Sequence, residues 1–174
     1  MRQSKTDRTP LDDRIHLRPV TADDREFLLS VYAASREIEL SMVPWDAAQR
    51  RLFVEHQSNA QTCHYETEYH DVKHDIILYD DDPAGRLFVS RGDPEQIAIL
   101  DLTVMPEYRK KGIGSRLIRE LQAEAARVGK SLRIYIENFN PSQELFRKLG
   151  FEVTDDSGVN LRFEWHNPTA ANKN

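Results

Sequence analysis

Residues 97–121 constrain this chain more than any other stretch. The run IAILDLTV at 97–104 reads as an apolar strand, passes through Pro106 into a basic loop, Arg109-Lys110-Lys111, closes on Gly112-Ile113-Gly114 and opens into a segment of helical periodicity. Glycine has no Cβ, so Gly112 and Gly114 can take conformations closed to other residues and bring backbone amides close to a ligand. The first turn of a helix has N–H groups without intrahelical partners and carries the positive end of the macrodipole, and both favour an anion. The three adjacent cations add Coulomb attraction. A strand, a glycine loop and a helix start in this order predict a polyphosphate cradle.

Spacing narrows the choice. A P-loop needs Gly-x-x-x-x-Gly-Lys-Ser/Thr and a dinucleotide fingerprint needs Gly-x-Gly-x-x-Gly; after Gly114 the chain runs Ser115-Arg116-Leu117, so neither nucleotide motif is present. Val104-x-Pro106 followed by Arg109-x-x-Gly112-x-Gly114 instead resembles the acyl-CoA pyrophosphate loop of the GNAT superfamily of N-acetyltransferases. Downstream, Ile134-Tyr135-Ile136-Glu137, Asn140-Pro141-Ser142 and Leu145-Phe146-Arg147-Lys148-Leu149-Gly150-Phe151 are similar to the other half of that superfamily's signature, a strand, a short helix and a Leu-Gly-Phe exit. The resemblance covers residues 15–165. It implies an N-acetyltransferase that moves an acetyl group from acetyl-CoA, as co-substrate, directly to a primary amine of a small molecule or a protein N-terminus or lysine. No metal is implied.

The same resemblance assigns roles by position. Coenzyme A is expected along the backbone of Leu102, Thr103 and Val104, in the loop Arg109, Lys110, Lys111, Gly112, Ile113, Gly114 and Ser115, and beside Asn140 and Phe146. Transfer to an amine also needs a base and a proton for the departing thiolate. Asp101 stands where family members often place a Glu that draws the amine proton through water; Glu137 is a reserve. A carboxylate in an apolar strand is costly to bury alone, so an Asp101 paired structurally with Arg86 or Arg133 is an equal alternative. Many family members have a Tyr where this chain has Phe146, which has no proton to give, leaving Tyr135, Ser142 or water as donor. A non-catalytic acyl-CoA sensor is the rival reading that this departure motivates. The acceptor is expected between residues 36–45 and 65–74, with Glu37 and Glu39 for its charge and Trp45, Tyr65 and Tyr69 for its apolar part.

At 174 residues with 39% hydrophobic, the chain suits one domain with a core, placed at 14–166 between flexible segments 1–13 and 167–174. A net charge of -5 supplies no global basic field for nucleic acid or an anionic membrane, so any positive site is local. A single cysteine, Cys63, excludes an intrachain disulfide, and residues 1–14 lack the apolar run of a secretory signal, so a cytoplasmic protein is expected. His70-x-x-x-His74 has a spacing that suits one helix face, but the intervening Asp71 is turn-like and no second ligand pair follows, so exposed or acceptor-site histidines are preferred to a metal.

Along the chain, residues 15–19 alternate as a strand, and Thr21 with Asp24 reads as a capping box for a helix with Phe27, Leu28, Val31 and Tyr32 on one face. Asp46 with Gln49 starts a second helix expected to carry Leu52, Phe53, His56 and Ala60 on one stripe. Strands at 75–79, 86–90 and 97–104, with a turn over 80–85, form an antiparallel meander. Simple alternation puts Ile97, Ile99, Asp101 and Thr103 on one strand face. A helix from Gly114 buries Ile113, Leu117, Leu121 and Ala125, with Ile118 and Val128 beside them, and ends at Gly129. A strand at 132–137 parallel to 97–104, a short helix capped by Asn140 with Gln143 as capping partner, and a hairpin of 151–155 with 160–165 complete an α/β fold: a mixed, mostly antiparallel sheet with a central parallel strand pair, flanked by about four helices. The exposed hairpin offers an edge for a homodimer.

Overall fold

Local signals set most element ends. Asp46 accepts the Gln49 N–H at 2.8 Å while the Gln49 side chain returns to the Asp46 N–H at 3.0 Å, a reciprocal box. The Asp24 carboxylate, 6% exposed, takes the Thr21 N–H at 2.8 Å and holds Arg18 in a bidentate pair at 2.8 and 2.7 Å. That guanidinium keeps the Asp24 carboxyl well below the usual carboxylate range.

The computed structural model describes residues 14–168; the expected flexible segments, apart from Asn167 and Pro168, lie outside the described residues. In chain order the elements are β1 (Ile15–Pro19), α1 (Arg25–Ser35), α2 (Glu37–Ser41), α3 (Ala47–Glu68), β2 (Val72–Tyr79), β3 (Asp82–Ser90), β4 (Gln96–Val104), α4 (Ile113–Val128), β5 (Ser131–Glu137), α5 (Gln143–Lys148), β6 (Glu152–Asp156) and β7 (Asn160–Trp165). One sheet runs β1-β2-β3-β4-β5-β7-β6, antiparallel except between β4 and β5. This is the expected α/β arrangement; the fifth helix is the short α2, whose five residues carry too little periodicity to be read from the sequence.

The larger core lies between the sheet and α4 with α5. It joins Ile113, Leu117, Ile118, Leu121 and Ala125 of α4 to Leu87, Val89, Ile97, Ile99, Leu132, Ile134, Ile136 and Phe163 of the strands. Val128, expected beside the α4 stripe, is exposed at the last residue of the helix. A smaller cluster, Leu29, Tyr32, Leu40 and Val54, packs α1, α2 and α3 on the opposite side. The stripe expected on α3 is corrected here: Leu52, His56 and Ala60 are exposed, while Val54 and Ser58, offset by two residues or about 200° around a helix, turn inward. Packing against α1 sets that face, and α3 is too polar overall for its own pattern to announce it.

Two corrections concern strands. The β2–β3 turn is confined to Asp80 and Asp81, with φ of 51° and 69°, and pairing resumes at Tyr79↔Asp82, so residues 82–85 belong to β3. More important, β4 does not alternate simply. Phe88 pairs with Asp101 and Val89 with Ile99, so Leu100 is an extra residue and the strand changes phase there. Ile97 and Ile99 face α4, as do Leu102 and Val104 beyond the bulge, whereas Asp101 and Thr103 face the side of Arg86 and Phe88. The expected single face is therefore split by one inserted residue.

Gly85 lets β3 and β4 approach within this region, since a Cβ built on it would lie 2.2 Å from the Thr103 carbonyl oxygen. Gly85→Ala should cost about 1–3 kcal/mol, as overpacking against backbone does, read as a fall in the thermal unfolding midpoint.

Candidate active site

The parallel pairing of β4 and β5 runs from Gln96↔Ser131 to Ile99↔Ile134 and stops, although β4 continues to Val104 and β5 to Glu137. Beyond the bulge the two strands splay. Their inner edges carry backbone groups with no strand partner there, and a cleft of about 990 Å³ occupies the gap. Its α4 side is walled by Leu102, Val104, Ile134, Ile136, the loop before α4, and residues 140–142 with Leu145 and Phe146; its α3 side by Asp101, Thr103, Arg133, Tyr135, Glu137, Tyr65 and Tyr69.

The loop has the geometry of an anion cradle. Gly112 is the residue before α4 with φ of 82° and ψ of 4°, a left-handed conformation, and a Cβ there would have nothing within 4 Å. Packing does not demand glycine at this position; backbone conformation does. The first intrahelical bond closes from the Arg116 N–H to the Gly112 carbonyl at 3.0 Å, so the amides of Ile113, Gly114 and Ser115 precede the helical ladder and stand at the cleft. Gly114 lies inside the helix and needs no unusual φ; its lack of a side chain matters only for close approach. Arg109 folds back, its Nε donating to the Val104 carbonyl at 3.1 Å, and Lys110 also lines the cleft. Lys111 points elsewhere, its Nζ 5.2 Å from the Tyr79 ring centre and 5.8 Å from that of Tyr108.

The opposite wall is polar and ordered by one buried ion pair. The Arg86 side chain is 1% exposed; its Nε donates to Asp101 Oδ2 at 2.5 Å and its Nη2 to Gln61 Oε1 at 2.5 Å. The other Asp101 oxygen accepts the Thr103 hydroxyl at 2.9 Å. Asp101 is thus paired with Arg86, and Arg133 is not its partner. Above the pair, Tyr65 donates its hydroxyl to the Leu100 carbonyl at 2.9 Å, and burial followed by the Asp101 charge pushes its phenol well above the usual tyrosine range. His74 stacks on Phe88 at 3.6 Å with its Nε2 buried and unpartnered; burial, then the Arg86 charge, lowers its pKa to about 4.

The remaining sequence-derived residues fall as follows. Glu137 lies 3.4 Å from Arg36 and from the Asn140 amide. Asn140 Oδ1 accepts the Ser142 N–H at 2.9 Å, so it holds the turn before α5 and not the first helical residue, while Gln143 donates to the Glu137 and Asn138 carbonyls and makes no capping box. Tyr135 and Ser142 line the cleft. Phe146 touches the cleft but is 3% exposed, edge-on to Phe151 at 5.2 Å. Trp45 packs on Phe53 in the smaller core, away from the cleft, whereas Glu37, Glu39 and Tyr69 line it. His70 and His74 flank the start of β2 and share no helix.

The profile described as the Acetyltransferase (GNAT) family matches residues 37–151. The chain belongs to the GNAT acetyltransferase family. Solved GNAT-type structures share its fold. The PaiA N-acetyltransferase of Thermoplasma acidophilum, solved with coenzyme A, superposes with a TM-score of 0.67 at 19% identity over 88% of this chain and 99% of its own. An acetyltransferase from Thermus thermophilus gives 0.65 at 19% identity over 88% and 97%. Arabidopsis thaliana Naa50, solved with the bisubstrate analogue CoA-Ac-MVNAL, gives 0.56 at 14% identity over 87% and 97%. Sequence comparison with curated proteins finds no match.

In this GNAT chain, sequence reasoning did not single out Gln61 or Phe139 as cleft residues. Gln61 sits on the polar helix α3, whose facing is decided by packing; Phe139 stands in a short loop with no periodicity. Among the described residues no group of three or more His, Cys, Asp or Glu is placed to share a metal, and no helix is long and apolar enough to cross a membrane.

Removing Asp101 alone should strand the buried Arg86 charge and cost about 3–5 kcal/mol, whereas Arg86→Met with Asp101→Leu should recover most of that loss in chemical denaturation. His74 binds its proton less readily folded than unfolded, so the stability it confers is present above about pH 6.5 and is lost as the pH falls from there toward about 4. His74→Phe should flatten that part of the stability–pH curve.

Proposed function

We propose that this GNAT protein is an acetyl-CoA-dependent N-acetyltransferase that moves the acetyl group directly to a primary amine. The observation that carries this reading is the cleft through the splayed β4–β5 pair, with a helix-mouth cradle on one side of the sheet and a hydrogen-bonded carboxylate on the other. The amides of Ile113, Gly114 and Ser115 would hold the diphosphate, with Lys110 adding charge. The unpaired edge of β4 at Leu102, Thr103 and Val104 offers N–H groups to polarise the thioester carbonyl.

The acceptor nitrogen then attacks the acetyl carbon, the carbon–sulfur bond breaks, and the amine proton passes through water to a carboxylate. Asp101 fits that role because its Arg86 and Thr103 hydrogen bonds hold it in place while leaving lone pairs toward the cleft; Glu137 is the second carboxylate in reach of the gap. The thiolate's proton comes from the Tyr135 or Ser142 hydroxyl or from water. Tyr65 is poorly suited, since its hydroxyl is committed to the Leu100 carbonyl. Neighbouring folds solved with coenzyme A and, for Naa50, with the bisubstrate analogue CoA-Ac-MVNAL support a coenzyme A ligand for this fold.

Phe146 favours a second reading, a module that binds acyl-CoA without turning it over. Coenzyme A released from acetyl-CoA across a broad amine panel separates the two: release with at least one amine supports the enzyme, and tight binding without release by the folded protein supports the sensor. Gly112→Val forces a branched residue into the left-handed region at the cradle and should weaken coenzyme A binding more than tenfold by calorimetry; unchanged affinity would refute the cradle under both readings.

A further inference from the structure

The cleft's acceptor side holds cations of unequal standing. Arg86 is committed to Asp101 and Gln61, and Arg36 to Glu39 at 3.0 Å and Glu137 at 3.4 Å. Arg133 on β5 has no such partner among the described residues. Its Nε is buried without a hydrogen bond, and its guanidinium carbon stands 5.8 Å from the Tyr69 ring centre and 5.5 Å from that of Tyr135.

The acids near it are occupied. Asp93 feels the Arg133 charge, but one of its oxygens accepts the Glu95 and Gln96 N–H groups and the other the Gln96 side-chain amide. Glu164, directly across on β7, is engaged by Arg162 and lies 3.5 Å from His166. A planar cation that lines the cleft, flanked by two rings and with its Nε buried, suits a planar anion bound two-pronged.

We propose that the acceptor carries a carboxylate as well as its amine, and that Arg133, flanked by Tyr69 and Tyr135, binds that carboxylate. This rests on the acetyltransferase reading and names its substrate class, an amino acid rather than a plain amine. The position suits the task. Arg133 pairs with Ala98 in the last paired stretch before the strands part, and Tyr135 and Glu137 follow on the same strand face into the gap. A carboxylate anchored at Arg133 therefore leaves the amine of a small molecule directed along β5 toward the splay and toward Asp101 and Glu137.

The test compares acids with their own amides. Phenylalanine, methionine and glutamate should be acetylated with kcat/KM roughly tenfold to a hundredfold above phenylalaninamide, methioninamide and glutamic acid α-amide, the span of a charge-assisted hydrogen-bonded pair. The last amide keeps a side-chain carboxylate, so activity with it alone among the amides would place recognition at that carboxylate. Arg133→Gln should erase the preference chiefly through KM while leaving coenzyme A affinity intact, and Arg133→Lys should retain part of it. Equal rates for acids and amides in the wild type, or a preference that survives Arg133→Gln, would overturn the proposal. A binding arm needs no turnover: N-acetylmethionine should bind the CoA-loaded protein more than tenfold tighter than N-acetylmethioninamide by calorimetry, and equal affinities would overturn it. Carboxylate preference in that arm without turnover of any amine would sink the enzyme reading and leave Arg133 as a carboxylate site.

Discussion

One inserted residue in β4 organises the molecule. Leu100 breaks the two-residue period, so the strand contributes Ile97 and Ile99 to the α4 core, then Leu102 and Val104 to the same side, and places Asp101 and Thr103 with Ala98 on the other. Without the bulge Asp101 would point into a packed hydrophobic layer, where an ionised carboxylate is prohibitively costly. With it, Asp101 meets Arg86, and the Leu100 carbonyl turns to the Tyr65 hydroxyl. A bulge also bends and twists its strand, and the parallel pairing to β5 ends at the bulge, one residue before Leu100.

The ion pair at this point ties three elements together. Arg86 comes from β3, Asp101 from β4 and Gln61 from α3, and the guanidinium lies 6.0 Å from the Tyr32 ring of α1. A charge so fully buried is tolerable only because its prongs have acceptors, and the arrangement leaves Asp101 fixed in direction. The wall of the cleft is rigid for electrostatic reasons where the α4 side is rigid through packing.

The two sides of the sheet consequently serve different chemistry. Toward α4 the cleft is apolar and ends at helix-mouth amides, an environment for a long ligand with an anionic group. Toward α3 it is lined by carboxylates, tyrosines and arginines, an environment for a small polar molecule. The gap between β4 and β5 is the place where the two meet.

The glycine loop at 109–114 and the helix end at Gly150 were legible from the chain alone, because left-handed glycines and strand runs are local properties that a few neighbouring residues decide. Gly112, Gly129 and the Asp46–Gln49 box were readable for that reason, and the parallel pair followed from the helix that joins its two strands. What the sequence could not contain was phase and direction. Whether Asp101 faces core or cleft depends on a bulge defined by a partner strand; which stripe of α3 turns inward depends on α1; whether Lys111 aims at the cleft depends on Tyr79 and Tyr108. The partnerless state of Arg133 among the described residues likewise depends on β5 setting it beside Glu164 and near Asp93, acids already engaged by their own chain neighbours. These are consequences of long-range packing and of competition among charges for partners, and only the assembled tertiary structure decides them.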